Sequence, residues 1–229
     1  VLRGVDVSQY QGTVDWSAVA ASGVSFAFVK VAEGDGYVDP LAAKNLAGAR
    51  TAGLVVGAYN VAHPSQASDP AAQARAHYGA ALAAGGGLAG DLPHVIDFEL
   101  SGRLSPADLA AWFSAHEAEL GRLLGTTPLA YTFPSFWAPL AGLVRSAGAL
   151  WWASYSGRTD APAAFAPVHK VPVPWQRARF WQWTDHGKLP NGAQVDADLF
   201  DGSLDDLRAL TLADVEAIHP LFVPPDSVQ

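Results

Sequence analysis

The sequence predicts an α/β fold, a modified TIM-type β/α barrel of eight strands with about five helices. Three observations carry this. Runs of β-branched and aromatic residues, each of strand length, recur eight times, at 2–7, 25–32, 54–59, 93–99, 127–133, 149–155, 179–183 and 194–200. Between the first five lie Ala-rich segments of helical composition, so the alternation predicts a parallel sheet, and eight strands let it close. After residue 152 the connections 156–178 and 184–193 carry Pro and Gly without a helical period. The last strands are therefore expected to be joined by loops, leaving the outer ring of helices incomplete.

The helical segments are 15–22, 40–52, 69–84 and 105–124, opening at Asp15, Pro40, Asp69 and Ser105. Asp and Ser side chains accept from the free N–H groups of a first turn, and Pro tolerates that turn because it has no N–H to satisfy. Gly23 and Gly53 fall where a helix ends in a left-handed residue. A shorter helix, 134–147, follows the fifth strand. Residues 1–211 are read as the catalytic barrel, and 212–229 as a C-terminal helix (212–218) and tail, packed on or trailing from it. Pro224-Pro225 reads as the start of a linker.

At 229 residues the chain is long enough to bury a sizeable core in one domain. Its 14 basic and 22 acidic side chains give a formal charge of −8, which disfavours nucleic acid as a partner and supplies no attraction to anionic membranes. No apolar run approaches the roughly 20 residues of a membrane span, so insertion is not expected. Without cysteine there is neither a disulfide framework nor a thiolate metal site. Methionine is absent too, and a chain opening at Val1 is read as trimmed, with a signal peptide expected to have been removed. A monomer is the default expectation.

In a parallel barrel the working residues sit at the C-terminal ends of strands. There the sequence places Asp6 (GVDVSQYQG), Glu33 (VKVAEGDGY), Tyr59 (VVGAY), Asp97 and Glu99 (VIDFEL) and Asp196 (QVDADLF). Side chains on a strand alternate, so Asp97 and Glu99 share one face while Ile96, Phe98 and Leu100 share the other. Two carboxyls held together in a partly desolvated mouth repel, which raises the pKa of one as a general acid requires. Ordinary readings stand beside each: D-x-E on a solvent-facing strand, Asp6 as a turn acid ahead of Ser8, Glu33-Gly34 as a turn, Asp196 as a loop acid beside Asp198, and Lys30 or Arg103 as structural ion-pair partners. Aromatic residues gather near the same strand ends, among them Tyr10, Tyr131, Trp151, Trp152 and Tyr155, and sugar rings stack on such faces. Alternation in FWQWT should put Trp181 and Trp183 on one face and Gln182 on the other. The seven histidines are scattered without the i, i+4 pairing of a helical zinc site, and no metal is expected. No nucleophile elbow, Walker A loop or dinucleotide fingerprint is present, and GGGLAG reads as a loop, so no cofactor is expected.

In GVDVSQYQG, VDW, SGVSFAFVKVAEGDGYVDP, ARTAGLVVGAY, LPHVIDFEL, PLAYT, LWWASY, FWQWT and QVDADLF, taken in order over about nine-tenths of the chain, the sequence resembles the glycoside hydrolase family 25 lysozymes, the Chalaropsis-type N-acetylmuramidases. The resemblance implies a β/α barrel with a truncated helical ring and hydrolysis of the β-1,4 bond between N-acetylmuramic acid and N-acetylglucosamine in peptidoglycan. It also implies retention of configuration, with Glu99 as proton donor and Asp97, Asp6 and Asp196 as the other active-site acids. Two departures stand out: Asn60-Val61 follows GAY where His-Phe is common, and VDAD replaces the commoner VDLN.

On this reading Glu99 is the general acid and base, and Asp97 orients the substrate's 2-acetamido group for attack on the anomeric carbon. The competing version makes Asp6 or Asp196 a direct nucleophile. Tyr59 is expected to donate a hydrogen bond near the reaction centre, Tyr10, Tyr131 and Trp152 to form walls, and Glu33 to contact substrate. Peptidoglycan strands are the expected partner, met by a secreted enzyme or by a phage endolysin acting on the host wall. Hydrolysis of chitin-like N-acetylglucosamine polymers and a non-catalytic wall-binding domain remain as alternatives.

Overall fold

A computed structural model describes residues 1–145, 148–158 and 160–213. Nine strands are present: β1 (Leu2–Val7), β2 (Val24–Glu33), β3 (Tyr37–Val38), β4 (Val55–Val61), β5 (Leu92–Asp97), β6 (Leu129–Thr132), β7 (Leu150–Ala153), β8 (Phe180–Lys188) and β9 (Gln194–Phe200). Eight close into a barrel, because β1 pairs with both β2 and β9. The ninth, β3, is a two-residue strand that folds back on β2 beyond Gly34, too short to leave an alternation in the sequence. The helices are α1 (Trp16–Ala21), α2 (Ala42–Thr51), α3 (Pro70–Ala83), α4 (Pro106–Leu124), α5 (Pro134–Trp137) and α6 (Leu204–Arg208).

Three of the four expected start signals act as caps; the fourth, Pro40, precedes α2, which opens at Ala42 after Leu41 with no side-chain cap. Asp15 accepts from the Ala18 N–H, Asp69 from Ala71 and Ser105 from Asp108, each satisfying an N–H that the helix itself leaves free. Gly125, at φ 68°, ends α4 in the left-handed region.

Three expectations are corrected. The sheet is not wholly parallel: β9 runs antiparallel to both β8 and β1. Residues 184–193, expected as a connecting loop, mostly extend β8 and then turn back at Leu189, whose N–H donates to the Ala193 carbonyl. A turn this short cannot make the crossover of a dozen or more residues that parallel neighbours require. The helix expected over 134–147 stops at Trp137 and tightens to one 3-10 turn over Ala138–Leu140, because Pro139 offers no N–H to continue it. Of the expected 212–218 helix, all but Leu212 and Ala213 lies outside the described residues. Leu212 is packed on the barrel, exchanging backbone hydrogen bonds with Gly90 and Asp91.

The barrel interior is filled by Phe26, Phe28, Leu92, Leu129, Trp151, Phe180 and Phe200, with Leu207 of α6 packed against them. Because β9 runs backwards, α6 follows it at the end of the barrel opposite the C-terminal mouth of the parallel strands and closes that end. Apolar filling below leaves only the upper mouth for polar side chains. Outside the barrel, α3, β5 and α4 bring together His77, His94 and His116, all fully buried, with ring centroids 5.1 Å apart for His77–His94 and 6.4 Å for His77–His116. The histidines are therefore not all scattered. No group of three or more His, Cys, Asp or Glu among the described residues is arranged to hold a metal ion.

Candidate active site

The parallel strands end around a cavity of about 230 Å³ lined by Asp6, Asp97, Glu99 and Asp196, with Tyr59, Tyr131 and Trp151 as aromatic walls and Tyr10 at the lip. A larger hollow, of about 640 Å³, lies at the opposite end of the barrel beside α4 and residues 126–128. Among the described residues its one carboxylate is Glu117, which accepts the Gly148 N–H, so paired carboxylates for acid–base chemistry belong to the smaller cavity.

Asp97 is the last residue of β5, and the chain continues beside β6 with the Phe98 N–H bonded to the Tyr131 carbonyl. Phe98 turns outward into a nest of Trp112, Phe113 and Phe136, with centroids 6.0, 4.9 and 5.4 Å away. Burying that ring fixes the parity, so Asp97 and Glu99 both face the cavity. Burial, then the Glu99 charge, raises the Asp97 pKa well above its ordinary value; burial also raises that of Glu99, and Lys30 opposes the rise in both. Lys30 itself is ion-paired to Glu33 rather than to either acid.

Across the cavity Asp6 of β1 stands opposite Asp196 of β9 in the antiparallel register. Gln182 of β8 links them: its Nε2 donates to Asp6 Oδ2 at 2.8 Å and to Asp196 Oδ2 at 3.4 Å. Its Oε1 accepts from the hydroxyls of Tyr131 (2.9 Å) and Tyr155 (3.1 Å). Alternation had assigned Gln182 to the face away from Trp181 and Trp183, but nothing in the sequence marked it as the hub of the site. Asp198, two residues beyond Asp196, also points inward, fully buried, and accepts the Trp151 indole N–H at 2.7 Å. Burial pushes Asp6 well up, with Asp198 and Asp196 adding to it, and Asp196 rises to about 6. Tyr59 and Tyr131 are held as neutral phenols, raised first by burial and then by the surrounding acids.

The structure thus brings together Asp6, Asp97, Glu99, Asp196, Tyr59, Tyr131 and Tyr10. Trp152 is not among them. It is 1% exposed and packs outside the barrel with its indole N–H on the His169 carbonyl, while Trp151, its neighbour of opposite parity, takes the wall. Glu33 lies in an adjoining hollow with Tyr10, Tyr37, Asp39 and His63, held by Lys30 and by His63 Nε2 at 2.9 Å. At the first departure from the family pattern, Val61 reaches the cavity wall while Asn60 is fully buried elsewhere.

A closed barrel whose strand ends gather carboxylates between aromatic walls is the build of an enzyme that hydrolyses glycosidic bonds, a glycoside hydrolase. The model of glycosyl hydrolases family 25 matches residues 5–192, and the chain belongs to that family. Lysozyme M1 of Streptomyces globisporus is 31% identical over 221 residues, covering 91% of this chain and 71% of that protein. The N,O-diacetylmuramidase of Chalaropsis sp is 29% identical, with 91% and 98% covered. Among solved structures, the muramidase from Trichobolus zukalii superposes with a TM-score of 0.79 at 28% identity, covering 92% of this chain and 99% of its own.

Proposed function

We propose that the protein is a lysozyme that cleaves the β-1,4 bond between N-acetylmuramic acid and N-acetylglucosamine in peptidoglycan, with retention of configuration. The observation that carries this is the convergence of Asp97 and Glu99 with Asp6 and Asp196 in one aromatic-walled cavity; the names of the lysozyme and muramidase relatives support the choice of substrate.

Glu99 is half-buried, with a pKa raised by burial, and sits at the open side of the pair. It protonates the glycosidic oxygen as the bond to the anomeric carbon breaks, and later, as a carboxylate, takes a proton from the attacking water. Asp97 accepts from the N–H of the 2-acetamido group, turning its carbonyl oxygen toward the anomeric carbon as internal nucleophile; its buried Oδ1, without a partner among the described residues, is free for that role. Water then opens the cyclic intermediate, and the net reaction consumes one water per bond. Tyr10, Tyr59 and Tyr131 line the path of the sugar. The enzyme works as a monomer, secreted or delivered as a phage endolysin.

Glu99→Gln tests the assignment. Turnover of purified bacterial walls should fall by about 10²–10⁴-fold with the melting temperature preserved, because a general acid contributes that much. A wild-type rate in the mutant sinks it. Mass analysis of the reducing ends identifies the bond: muramic acid is expected, whereas N-acetylglucosamine ends, or turnover of chitin oligomers alone, would replace the muramidase reading with the chitin-like one. Sedimentation with peptidoglycan and no product would leave a binding domain.

A further inference from the structure

We propose that Asp198 is a positioning residue that shares a single proton with Asp6 beneath the cavity, so that Asp6 is held in a hydrogen-bonded acid pair and is not a free carboxylate nucleophile. This rests on the lysozyme reading for its mechanistic consequence, though the proton itself is a property of the resting protein.

Asp6 and Asp198 project into the barrel from hydrogen-bonded antiparallel strands; Asp6 pairs with Asp196 and Gly4 with Asp198, so the two side chains are diagonal neighbours on one face. Asp198 is 1% exposed and Asp6 6%. Gly4 carries no side chain to separate them, and a Cβ there would meet the Phe26 ring at 2.2 Å. The partners of the two carboxyls are neutral: the Gln182 amide on Asp6 and the Trp151 indole on Asp198. Asp198 Oδ2 is buried with no donor among the described residues, apart from any proton carried by a neighbouring acid. Two ionised carboxylates so placed, without a cation in contact, would cost far more than the loss of one proton.

The charged and titratable groups around the pair are Asp196 on the same strand as Asp198, Asp97 on β5, Tyr59 on β4, Tyr131 on β6 and Tyr155 beyond β7; β8 presents the neutral Gln182. Asp97 and Asp196 add negative charge and reinforce retention of the proton. The commoner VDLN of the family has asparagine where this chain has Asp198, and an amide would supply Asp6 with a fixed donor. An aspartate supplies the same neutral contact only while the shared proton remains, making the contact titratable.

Carboxyl carbon NMR of the full chain, labelled in aspartate and titrated with pH, tests this without using activity. The wild type is expected to show, besides the raised Asp97 and Asp196, one further aspartate proton retained beyond the ordinary carboxylate range and assigned to the pair by comparison with Asp198→Asn, in which Asp6 should titrate at lower pH. In the profile of log kcat/KM, each protein scaled to its own maximum, the alkaline limb should flatten from a slope of about −2, for loss of the Glu99 and shared protons, to about −1 in Asp198→Asn. A wild-type titration with no retained proton, or an Asp198→Asn spectrum with the same proton inventory, overturns the proposal even if the enzyme is a lysozyme. Retained-proton NMR with no turnover of any wall would instead overturn the lysozyme reading alone.

Discussion

The two groups of acids in the cavity face the same solvent but are held in opposite ways. On the β5 side, Asp97 and Glu99 lie in the field of Lys30, which favours their ionised forms against burial. Across the mouth, the partners of Asp6 and Asp198 among the described residues, each other aside, are an amide and an indole. A carboxyl that must give up and regain a proton in each turnover is thus placed near a cation and water. One that must keep its place is buried among neutral donors.

After Glu99→Gln, the largest effect that bears on this division is expected from Asp97→Asn, which keeps the shape and removes the charge. Initial rates on peptidoglycan should fall by about 10²-fold, the scale of losing one preorganised electrostatic contact. Near-normal rates would mean the β5 pair is not divided into acid and orienter. Gln182→Leu attacks the other group by leaving Asp6 and two tyrosine hydroxyls without their common partner. Urea titration should show a loss of about 1–3 kcal/mol, together with reduced turnover. A variant as stable as the wild type would show that Gln182 is not the hub of the floor.

The pH dependence of stability separates the groups further. Asp196 rises to about 6 when folded, from 3.8, so its contribution is fully present below pH 3.8 and is lost as pH rises through about 6. Asp196→Asn should therefore raise the melting temperature relative to wild type at pH 7 and not at pH 3.5. The buried histidines act with opposite sign: His94 and His116 fall from 6.5 to about 4, so the stability they carry is present above pH 6.5 and is lost as pH drops through about 4. Lys30→Gln should move both limbs of the rate profile to higher pH, since Asp97 must ionise and Glu99 must stay protonated without the nearby cation. Unmoved limbs would remove Lys30 from the comparison. The smallest effect is expected for Trp152→Phe, about 1 kcal/mol from the lost bond to the His169 carbonyl, with KM unchanged, whereas Trp151→Phe should alter KM.

Much of this was legible in the sequence. The first and last barrel strands fall where their alternation puts them, and Asp15, Asp69 and Ser105 act as the caps their positions suggest, because these features depend on local chemistry. Misreadings arose where the deciding partner is distant. Adjacent Trp151 and Trp152 look alike in one dimension, and only the barrel's curvature determines which is inside. Nothing local in the sequence marks Asp198, because the group that binds it, the Trp151 indole, lies 47 positions away. The backward course of β9 was hidden because a buried antiparallel strand has the same composition as a parallel one.

That backward strand also sets when the protein can first work. Asp196 and Asp198, which complete Asp6's side of the cavity, follow it about 190 positions later on the strand that seals the barrel against β1. A ribosome feeds out the N-terminal part first, so a chain not yet extended through β9 holds an open sheet with two of its five acids missing. Completion of β9 is therefore a built-in arming step: a chain cut short before residue 194 should carry the VIDFEL acids and yet leave a wall untouched.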